Sequence, residues 1–533
     1  MTLGQTPKQG DMWRSATAYC EASLSPTSVY SFLHRECHRL FPDEAFADLF
    51  QAVGRRSVPP RIVAVVMVLQ RIEGLSDREA ADRFRFDVRW KYAAGGLDLD
   101  YRGFVHTVLV DMRERLRLSA DPDRVFRTVL EVAKAAGMVG RKRVLDSTPL
   151  YDAVATQDTV TMIRSAIRGL LRAADGELAA ELRSALKRDD DYVSAGKPTC
   201  DWEDRAAREA LVDALARDGY ALLARLDGRK CGPIVNEAAA LLATVLGQDL
   251  EETEDGTFRI ARRVAPDRVI STVDPEARHG HKTQARGFDG YKGHIAIDPD
   301  SEIITATAVT PGNVGDGSVA KEILEEAIGQ EKPQETDATQ PSEEERVEVY
   351  GDSAYGTAEV LEHLESAGAE ALVKVQPPVA PNGLFTKAAF QIDLSCDTVT
   401  CPAGQLVQIR RQRDGSGIAS FGERCKQCPR ASSCTSSKQG RNVNVNARED
   451  LLQRARAEQR SPEWRARYKA TRPKVERKLS HLMRRRHGGR RARMRGRERI
   501  ERDFTMLCAA DNLRRLARRG LRYERGAKMG WTV

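Results

Sequence analysis

The chain has 533 residues, of which 41% are hydrophobic and 30% charged, a balance that excludes a disordered chain. At roughly 100–200 residues per domain, this length predicts about three or four structural units. The longest apolar run, Ile62–Gln70, is far shorter than the ~20 residues of a membrane helix, which argues against a membrane protein. The polar N-terminus has no apolar signal segment, so we expect a cytoplasmic protein with reduced thiols.

The net charge of +8 is unevenly distributed along the sequence. Residues 451–533 contain 27 Lys and Arg against 8 Asp and Glu, a net charge of +19, so the remainder carries −11. A basic tail on a mildly acidic body favours an anionic polymer, nucleic acid above all, as the partner. The alternative is a solvated Arg-rich surface that reflects only the codon bias of the genome.

Residues 1–135 are predicted to form helices. Apolar residues between 62 and 72 recur with the period of an amphipathic helix, which Gly74 ends. Ser76 and Glu79 have the spacing of a capping box that opens the next helix, giving a helix-turn-helix outline. The stretch RFRFDVRWKY that follows fits a DNA-contacting unit and a helical bundle equally well. In the second interpretation the core aromatic residues are Phe84, Phe86 and Trp90.

The middle of the chain alternates between β-prone and helical segments. β-prone runs are GRKRVLDSTP (140–149), DRVISTVDP, GYKGHIAID and SEIITATAV (within 267–310), and RVEVYGDSAYG (346–356). The turn Asp298–Ser301 predicts a hairpin. Helical periodicity returns over 155–250, and the acidic stretch 329–345 is predicted to be an exposed linker. This order predicts a mixed α/β fold.

Two carboxylates follow β-prone runs in the same way. Asp146 comes after the apolar end of one run, and Asp352 comes after that of another. Carboxylates at the ends of adjacent strands can converge on a hard cation, and two Mg²⁺ ions (or Mn²⁺) about 4 Å apart would stabilise both oxygens of a phosphodiester displacement. Glu476, beside an apolar stripe just after Pro473, is the best candidate for a third carboxylate. Since the chain has 77 acidic residues, such a trio can also arise by chance.

Five of the ten cysteines fall within residues 396–434. Cys425 and Cys428 form a CxxC motif that is followed by Cys434 and preceded by Cys401. Four thiolates from two hairpins are typical of a tetrahedral structural Zn²⁺ site, so these four are the predicted ligands and Cys396 is left over. A redox CxxC motif and reduced, unliganded thiols are the alternatives.

Five blocks of sequence resemble those of DDE-type bacterial insertion-sequence transposases, in the family numbered eleven eighty-two and the group with a YREK-like C-terminal signature. The blocks are, in chain order, LFPDEAFADLF to GLSDREAADRFRFDVRWKYAAG, then VLDSTP, then DPEARHGHKTQARGFDGYKGHIAID with VTPGNVGD, then VYGDSAYG, and finally RYKATRPKVERKLSHLMRRRHGGRRARMRG. The pattern CP…CxxCP…C also recurs in that family before its Glu helix. No single block is specific, but their order along the chain is.

The resemblance implies an RNase H-like mixed-sheet core in which Asp146, Asp352 and Glu476 form the metal-binding catalytic triad. It also implies phosphoryl transfer: water nicks the end of the element, and the freed 3′-hydroxyl then attacks target DNA. The partner is double-stranded DNA, and a homodimer or higher assembly is expected because two ends are cut together. Tyr350 and Tyr355 are interpreted as packing residues rather than nucleophiles.

The YREK signature is matched only in part. Arg472 stands four residues before Glu476 as expected, Tyr468 is one residue out of step, and Met483 replaces the Lys. Basic residues near the Glu helix and the central hairpin are predicted to contact DNA phosphates. These residues are Arg472, Arg477, Lys478, Arg484, Arg485, Arg486, Tyr291 and Lys292.

The sequence thus divides into four parts. They are a helical N-terminal domain predicted to bind DNA (1–135), an RNase H-like core (136–380) with a helical insertion at about 150–265, a Cys-rich insertion predicted to bind zinc (381–445), and a basic helical part that completes the core (446–533). Two alternative functions stay open: a transposase-derived DNA-binding protein without activity, and a nuclease of the same fold without strand transfer. The intact carboxylate trio argues against the first alternative.

Overall fold

The computed structural model describes residues 15–51, 53–152, 156–283, 285–329, 346–524 and 530–533. Within these ranges no helix combines the length and the apolar character needed to cross a bilayer. The predicted acidic linker at 329–345 lies, from residue 330 onward, outside the described residues. The fold is mixed α/β, as predicted.

The first part of the chain is a bundle of helices. They are α1 (Ala16–Ser23), α2 (Val29–Leu40), α3 (Pro60–Glu73), α4 (Asp77–Phe86), α5 (Val88–Ala93), α6 (Thr107–Leu118) and α7 (Arg124–Ala135). Gly74 ends α3 in the left-handed conformation, with φ 69°, and Ser76 and Glu79 form the predicted capping box of α4. The sequence predicts that only one face of α3 is buried. This is wrong, because other helices surround α3 and bury Ile62–Ile72 on all sides. Phe86, a candidate core residue, is 73% exposed.

A helical insertion follows the first strand. The elements in this part are β1 (Lys142–Tyr151), α8 (Thr159–Ala173), α9 (Gly176–Ser184), α10 (Arg205–Leu226), α11 (Pro233–Asp249), β2 (Leu250–Glu252) and β3 (Phe258–Ile260). Helices α8, α10 and α11 pack on one another around a hydrophobic cluster that includes Ile163, Leu215 and Leu246. The insertion therefore has a core of its own, separate from that of the central sheet.

A central mixed sheet carries the elements that follow. They are β4 (Arg278–Thr283), β5 (Arg286–Ile297), β6 (Ile304–Pro311), α12 (Ala320–Ile328), β7 (Glu348–Gly351), α13 (Ala358–Ser366) and β8 (Glu370–Val373). The sheet has the order β6-β5-β1-β7-β8, and β4 pairs with the first residues of β5. β5 is antiparallel to both β1 and β6, whereas β1, β7 and β8 are parallel. Helices α12 and α13 cover one face of this sheet.

The predicted hairpin of GYKGHIAID and SEIITATAV is confirmed as β5 and β6. The preceding segment, DRVISTVDP (267–275), was predicted to be a strand, and this is wrong. Its backbone bonds to side chains of the helical insertion instead of to a neighbouring strand: Val269 and Thr272 donate to the amide oxygens of Gln248 and Gln157. Local β propensity is overridden here by tertiary hydrogen bonding.

The Cys-rich insertion folds as a small antiparallel sheet with its own hydrophobic cluster. Its elements are β9 (Gln391–Asp393), β10 (Thr398–Thr400), β11 (Leu406–Arg411), β12 (Gly417–Ser420), α14 (Ala431–Cys434) and β13 (Asn442–Val445). The strands are ordered β13-β12-β11-β10-β9. Phe390, Val399 and Phe421 lie in the cluster, which is small for a segment of this length.

The last part of the chain returns to the central sheet. Its elements are α15 (Glu449–Glu458), α16 (Pro462–Thr471), α17 (Pro473–Leu482), α18 (Arg497–Arg518), β14 (Arg522–Glu524) and β15 (Gly530–Thr532). α17 and α18 pack on the sheet face opposite α12 and α13, and α18 also contacts α3 and α7. A buried ion pair joins the two helices, since Lys478 Nζ donates to Asp511 Oδ2 at 2.9 Å.

We predict that the substitution Asp511→Asn destabilises the protein by about 3–5 kcal/mol, because it leaves the buried cations Lys478 and Arg514 uncompensated. Burial alone would raise the pKa of Asp511, but these two cations hold it well below its usual range. Stabilisation from the ion pairs of Asp511 with Lys478 and Arg514 is therefore fully present above the pKa of about 4 in the unfolded chain. It is lost as the pH falls through the pKa of Asp511 in the folded protein. Urea denaturation at several pH values measures both effects.

The exposed residue Asp82 provides the control for that measurement. Asp82→Asn should change the free energy of unfolding by less than about 0.5 kcal/mol. An equally small effect of Asp511→Asn would show that the cluster does not anchor α17 to α18.

Candidate active site

Asp146 and Asp352 are brought together by the strand that lies between β5 and β7. β1 pairs with β7 only as far as Val144, but β5 pairs with it as far as Tyr151. Asp146 therefore lies inside β1, just past the end of its pairing with β7, and Asp352 directly follows β7. The sequence placed Asp146 at a strand end, which is wrong, because pairing with β5 prolongs the strand.

Glu476 is contributed to the candidate site by one of the helices that pack on the sheet. It lies in the first turn of α17, whose Val475 and Leu479 are buried in the core cluster against β1. The carboxylate side chain is 64% exposed. Arg472 stands between α16 and α17 and caps both helices. The turn at Arg472 and Pro473 thus places the arginine and the glutamate on the same side of the sheet.

The guanidinium of Arg472 contacts all three predicted catalytic carboxylates. Its Nη2 lies 2.9 Å from Asp146 Oδ1, and its Nη1 donates to Asp146 Oδ2 at 3.1 Å. Nη2 is also 3.7 Å from Asp352 Oδ2, and Nη1 is 3.7 Å from Glu476 Oε1. Asp146 and Asp352 are 206 positions apart in the sequence, and Asp352 and Glu476 are 124 apart, yet all three carboxylates lie beside one cation.

The three carboxylates differ in their exposure to solvent. The Asp146 side chain is 12% exposed, against 41% for Asp352 and 64% for Glu476. Burial raises the pKa of Asp146 to about 6, although the Arg472 guanidinium acts in the opposite direction, and the Asp352 carboxylate adds to the increase. Negative charge on Asp146 is therefore costly without a nearby cation.

A network of buried polar side chains supports the strands below these carboxylates. Asp316 accepts hydrogen bonds from Ser147 Oγ at 2.5 Å and from Lys292 Nζ at 2.8 Å. His294 lies on β5 with its Nδ1 3.1 Å from the Tyr355 hydroxyl and its Nε2 2.9 Å from Thr310 Oγ1. Burial lowers the pKa of His294 to about 4, so the ring is neutral at pH 7. Both groups fix the strands that present Asp146.

The carboxylates open into a cleft whose other charged lining is mostly cationic. Besides Arg472, the charged residues around them are Lys282, Arg286, Lys292, Asp316 and Arg490, and His281 and Tyr151 also line the cleft. A cleft that joins acidic ligands to a cationic rim suits a phosphodiester with bound divalent ions, because the rim neutralises phosphate oxygens and the acids hold the metal.

The donor set of the cleft fits Mg²⁺ or Mn²⁺, which prefer carboxylate oxygens. As the side chains stand, no group of three or more His, Cys, Asp or Glu residues in the described ranges is placed to hold a metal ion. In the cleft, the Arg472 guanidinium stands among the carboxylates as a positive charge, which is the role that a metal ion would take.

Several predicted DNA contacts are engaged within the protein. Tyr291 is fully buried and its hydroxyl donates to Asp274 at 2.7 Å, and Lys478 is buried against Asp511. Lys292 lines the cleft in an ion pair with Asp316. Arg477 is exposed beside Glu302. Arg472, also a predicted contact, is buried against Asp146. The remaining three are exposed on the stretch after α17, and they are Arg484, Arg485 and Arg486.

The four predicted zinc ligands lie around one small pocket, which is otherwise lined mainly by Phe385, Phe390, Phe421 and the neighbouring loops. Cys401, Cys425, Cys428 and Cys434 are all free thiols, and the leftover Cys396 is exposed and does not line that pocket. Burial raises the pKa of the Cys434 thiol, and the other three thiols add to this increase. The four thiols thus line one pocket, but as their side chains stand they are not placed to hold a metal ion.

Sequence reasoning missed several contributions to the cleft. Asp316 lies in the VTPGNVGD block, which was noted without a role for its carboxylate. Arg472 was assigned to DNA and not to the carboxylates. Arg286 and Arg490 reach the cleft from a β-hairpin and from the loop before α18, and both lie in blocks that were noted without a role for either arginine.

Two parts of the chain match families of transposase domains. Residues 400–517 match the family described as Transposase DDE domain, and residues 29–115 match the one described as Transposase domain (DUF772). The first match includes Arg472 and Glu476, and the second covers α2 to α5 and most of α6. No curated protein and no solved structure matched the chain. The two matches support an insertion-sequence transposase, and the mixed sheet fits an α/β transposase fold.

We predict that Ser147 and Asp316 are energetically coupled, because the serine hydroxyl donates directly to the aspartate. In a double-mutant cycle of Ser147→Ala and Asp316→Asn, the coupling energy should be about 0.5–3 kcal/mol in urea denaturation. The pair Ser437→Ala and Asp316→Asn is the control, since Ser437 lies in the Cys-rich insertion, and it should be additive within about 0.5 kcal/mol. If both cycles are additive, Asp316 does not stabilise β1 through Ser147.

Proposed function

We propose that the chain is a DDE transposase that cuts the ends of an insertion sequence and joins them to target DNA by metal-dependent phosphoryl transfer. The observation that carries the proposal is the meeting of Asp146, Asp352 and Glu476 at one guanidinium in a cation-rimmed cleft. The match of residues 400–517 to the Transposase DDE domain includes one of these carboxylates.

The strand order supports an RNase H-like core. β2 and β3 lie outside this sheet, and β4 pairs only with the first residues of β5. Numbered along the chain without these three, the central strands run third, second, first, fourth, fifth, and the second is antiparallel to its neighbours. Asp146 on the first strand and Asp352 after the fourth are then adjacent by topology. The helical insertion and the Cys-rich insertion enter after the first and fifth strands, so they leave this sheet intact.

In this proposal Asp146, Asp352 and Glu476 would hold two divalent ions, and the chemistry that such ions would supply is activation of the attacking oxygen and stabilisation of the leaving oxygen. Lys292, Arg286 and Arg490 bind phosphate oxygens of the DNA and hold the strand against the carboxylates. The buried floor of β1 and β5 excludes water from beneath Asp146, which strengthens its interaction with any cation. His294 is buried with both ring nitrogens hydrogen-bonded, and in this proposal it supports the sheet.

The partner in this proposal is double-stranded DNA, both the ends of the element and the target. Arg477 and Arg484 line a groove between α17 and α18 together with Arg515 and Arg518, outside the carboxylate cleft. Such a groove is suited to the backbone of a flanking duplex. Because two ends must be cut together, the active assembly on DNA is a homodimer or larger, and its place in the cell is the nucleoid.

We expect Asp146→Asn, Asp352→Asn and Glu476→Gln each to reduce Mg²⁺- or Mn²⁺-dependent cleavage of the flanking DNA ends by about 100-fold or more, because each removes a metal ligand. The substrate is a supercoiled plasmid that carries those ends, and strand transfer to a second plasmid is scored in parallel. DNA binding in a gel-shift assay should persist in all three variants.

Glu463→Gln provides the matched control, since Glu463 is an exposed carboxylate on the neighbouring helix α16. Cleavage without strand transfer would favour a nuclease of the same fold. Binding without cleavage by the wild type would indicate a DNA-binding protein derived from a transposase. Cleavage that survives Glu476→Gln would show that the third carboxylate is another residue.

We also propose that Cys401, Cys425, Cys428 and Cys434 hold a structural Zn²⁺ ion after a small rearrangement of their side chains. What supports this is their position around one pocket and the small core of the insertion, which a metal would reinforce.

Protein purified without chelator should then contain about one zinc per chain by elemental analysis. Cys428→Ser should lower that content by at least half and make the insertion sensitive to proteolysis, whereas Cys396→Ser should leave both unchanged. Equal zinc content in the two variants would assign the metal to another site.

A further inference from the structure

Arg472 occupies a constrained position. Its backbone N–H donates to Tyr468 O at 2.9 Å, at the end of α16, and Pro473 begins α17 directly after it. Its side chain is only 7% exposed. Its Nε is buried without a hydrogen-bond partner among the described residues, so the guanidinium is held by its two Nη groups alone. Those two groups are the ones that contact the carboxylates.

The contact of Arg472 with the carboxylates affects the charge balance of the cleft. Three carboxylates on β1, after β7 and on α17 face one another, and a single guanidinium within 4 Å of each is the cation that they share. Carboxylates gathered this closely without a cation would repel one another. The Asp146 pair is bidentate, which is the strongest geometry for an arginine and a carboxylate.

We propose that Arg472 is an internal counter-ion that holds the three carboxylates together before metal binds and competes directly with divalent ions for them. This inference rests on the proposed function, in which the same three carboxylates are the metal site. Arg472 is thereby a positioning residue whose side chain must leave Asp146 before the site can be loaded.

The geometry makes the arginine-bound state of Asp146 and its metal-bound state mutually exclusive. Both oxygens of Asp146 are engaged by the guanidinium, at 2.9 and 3.1 Å. A Mg²⁺ ion binds a carboxylate oxygen at about 2.0–2.1 Å and needs near-octahedral surroundings, which a guanidinium of like charge in the same place denies. The metal-ready state is therefore a minor state of the free protein, and the apparent metal affinity is reduced by its population.

The test is a titration of Mn²⁺ into the full-length, metal-free protein, with unbound Mn²⁺ measured by electron paramagnetic resonance. Arg472→Gln removes the competing charge and should tighten binding at this site by about tenfold or more. Arg472→Lys keeps a charge that cannot span three carboxylates, and should give an intermediate affinity. Arg490→Gln is the matched control: Arg490 lines the same cleft but forms no ion pair with these carboxylates, all of which are described, and its loss should not tighten binding.

Asp146→Asn, introduced into both wild type and Arg472→Gln, shows whether the titrated Mn²⁺ binds at the carboxylate site. If Mn²⁺ binding depends on Asp146 but is equally tight in wild type and Arg472→Gln, the competition is disproved while the proposed metal site stands. If Asp146→Asn changes Mn²⁺ binding in neither background, the inference and the proposed metal site both fail.

A second measurement separates a counter-ion from a merely structural arginine. In the presence of EDTA, Arg472→Gln should lower the melting temperature, and saturating Mn²⁺ should restore most of the loss. A loss that Mn²⁺ does not restore contradicts the proposal. If Arg472→Gln does not fold, Arg472→Lys decides the matter: tighter Mn²⁺ binding than wild type supports the competition, and equal binding overturns it.

Discussion

The pairing of β1 with two different neighbours is the constraint on which the candidate site depends. β7 pairs with the first residues of β1 and then stops, while β5 pairs with the strand to its end. Asp146 therefore stands beside a gap in the sheet, and Asp352 fills that gap from the end of β7. Because side chains alternate along a strand, Asp146 faces α17 and α18, the helices that carry Arg472's partner Glu476 and the Lys478–Asp511 anchor.

Like charges gathered at one point of a fold require compensation from the rest of the structure. The protein provides part of it through the Arg472 guanidinium among the carboxylates. Below them, Asp316 is paired with Lys292 and accepts from Ser147, so this network adds no further net charge. One cation among three carboxylates leaves the site with net negative charge, which suits a stronger cation.

The two insertions explain how residues so far apart in sequence converge. Each one contains its own hydrophobic cluster, one around Leu215 and Leu246 and the other around Phe390 and Phe421. Long insertions add little to the entropy cost of closing the chain, which grows only slowly with loop length. A separate core lets each insertion be ordered without taking contacts from the central sheet.

The sequence by itself determined what depends on local chemistry and on resemblance. Gly74 and the Ser76/Glu79 capping box set the start and end of two helices, the turn at 298–301 set a hairpin, and the block order pointed to transposase domains. Tertiary structure decided the rest, because it depends on contacts between distant residues. Pairing with β5 put Asp146 inside a strand, side chains of the insertion kept 267–275 out of the sheet, and enclosure buried α3 on every side. The contact of Arg472 with three carboxylates is the clearest case, since no local pattern states which charge a flexible arginine will meet.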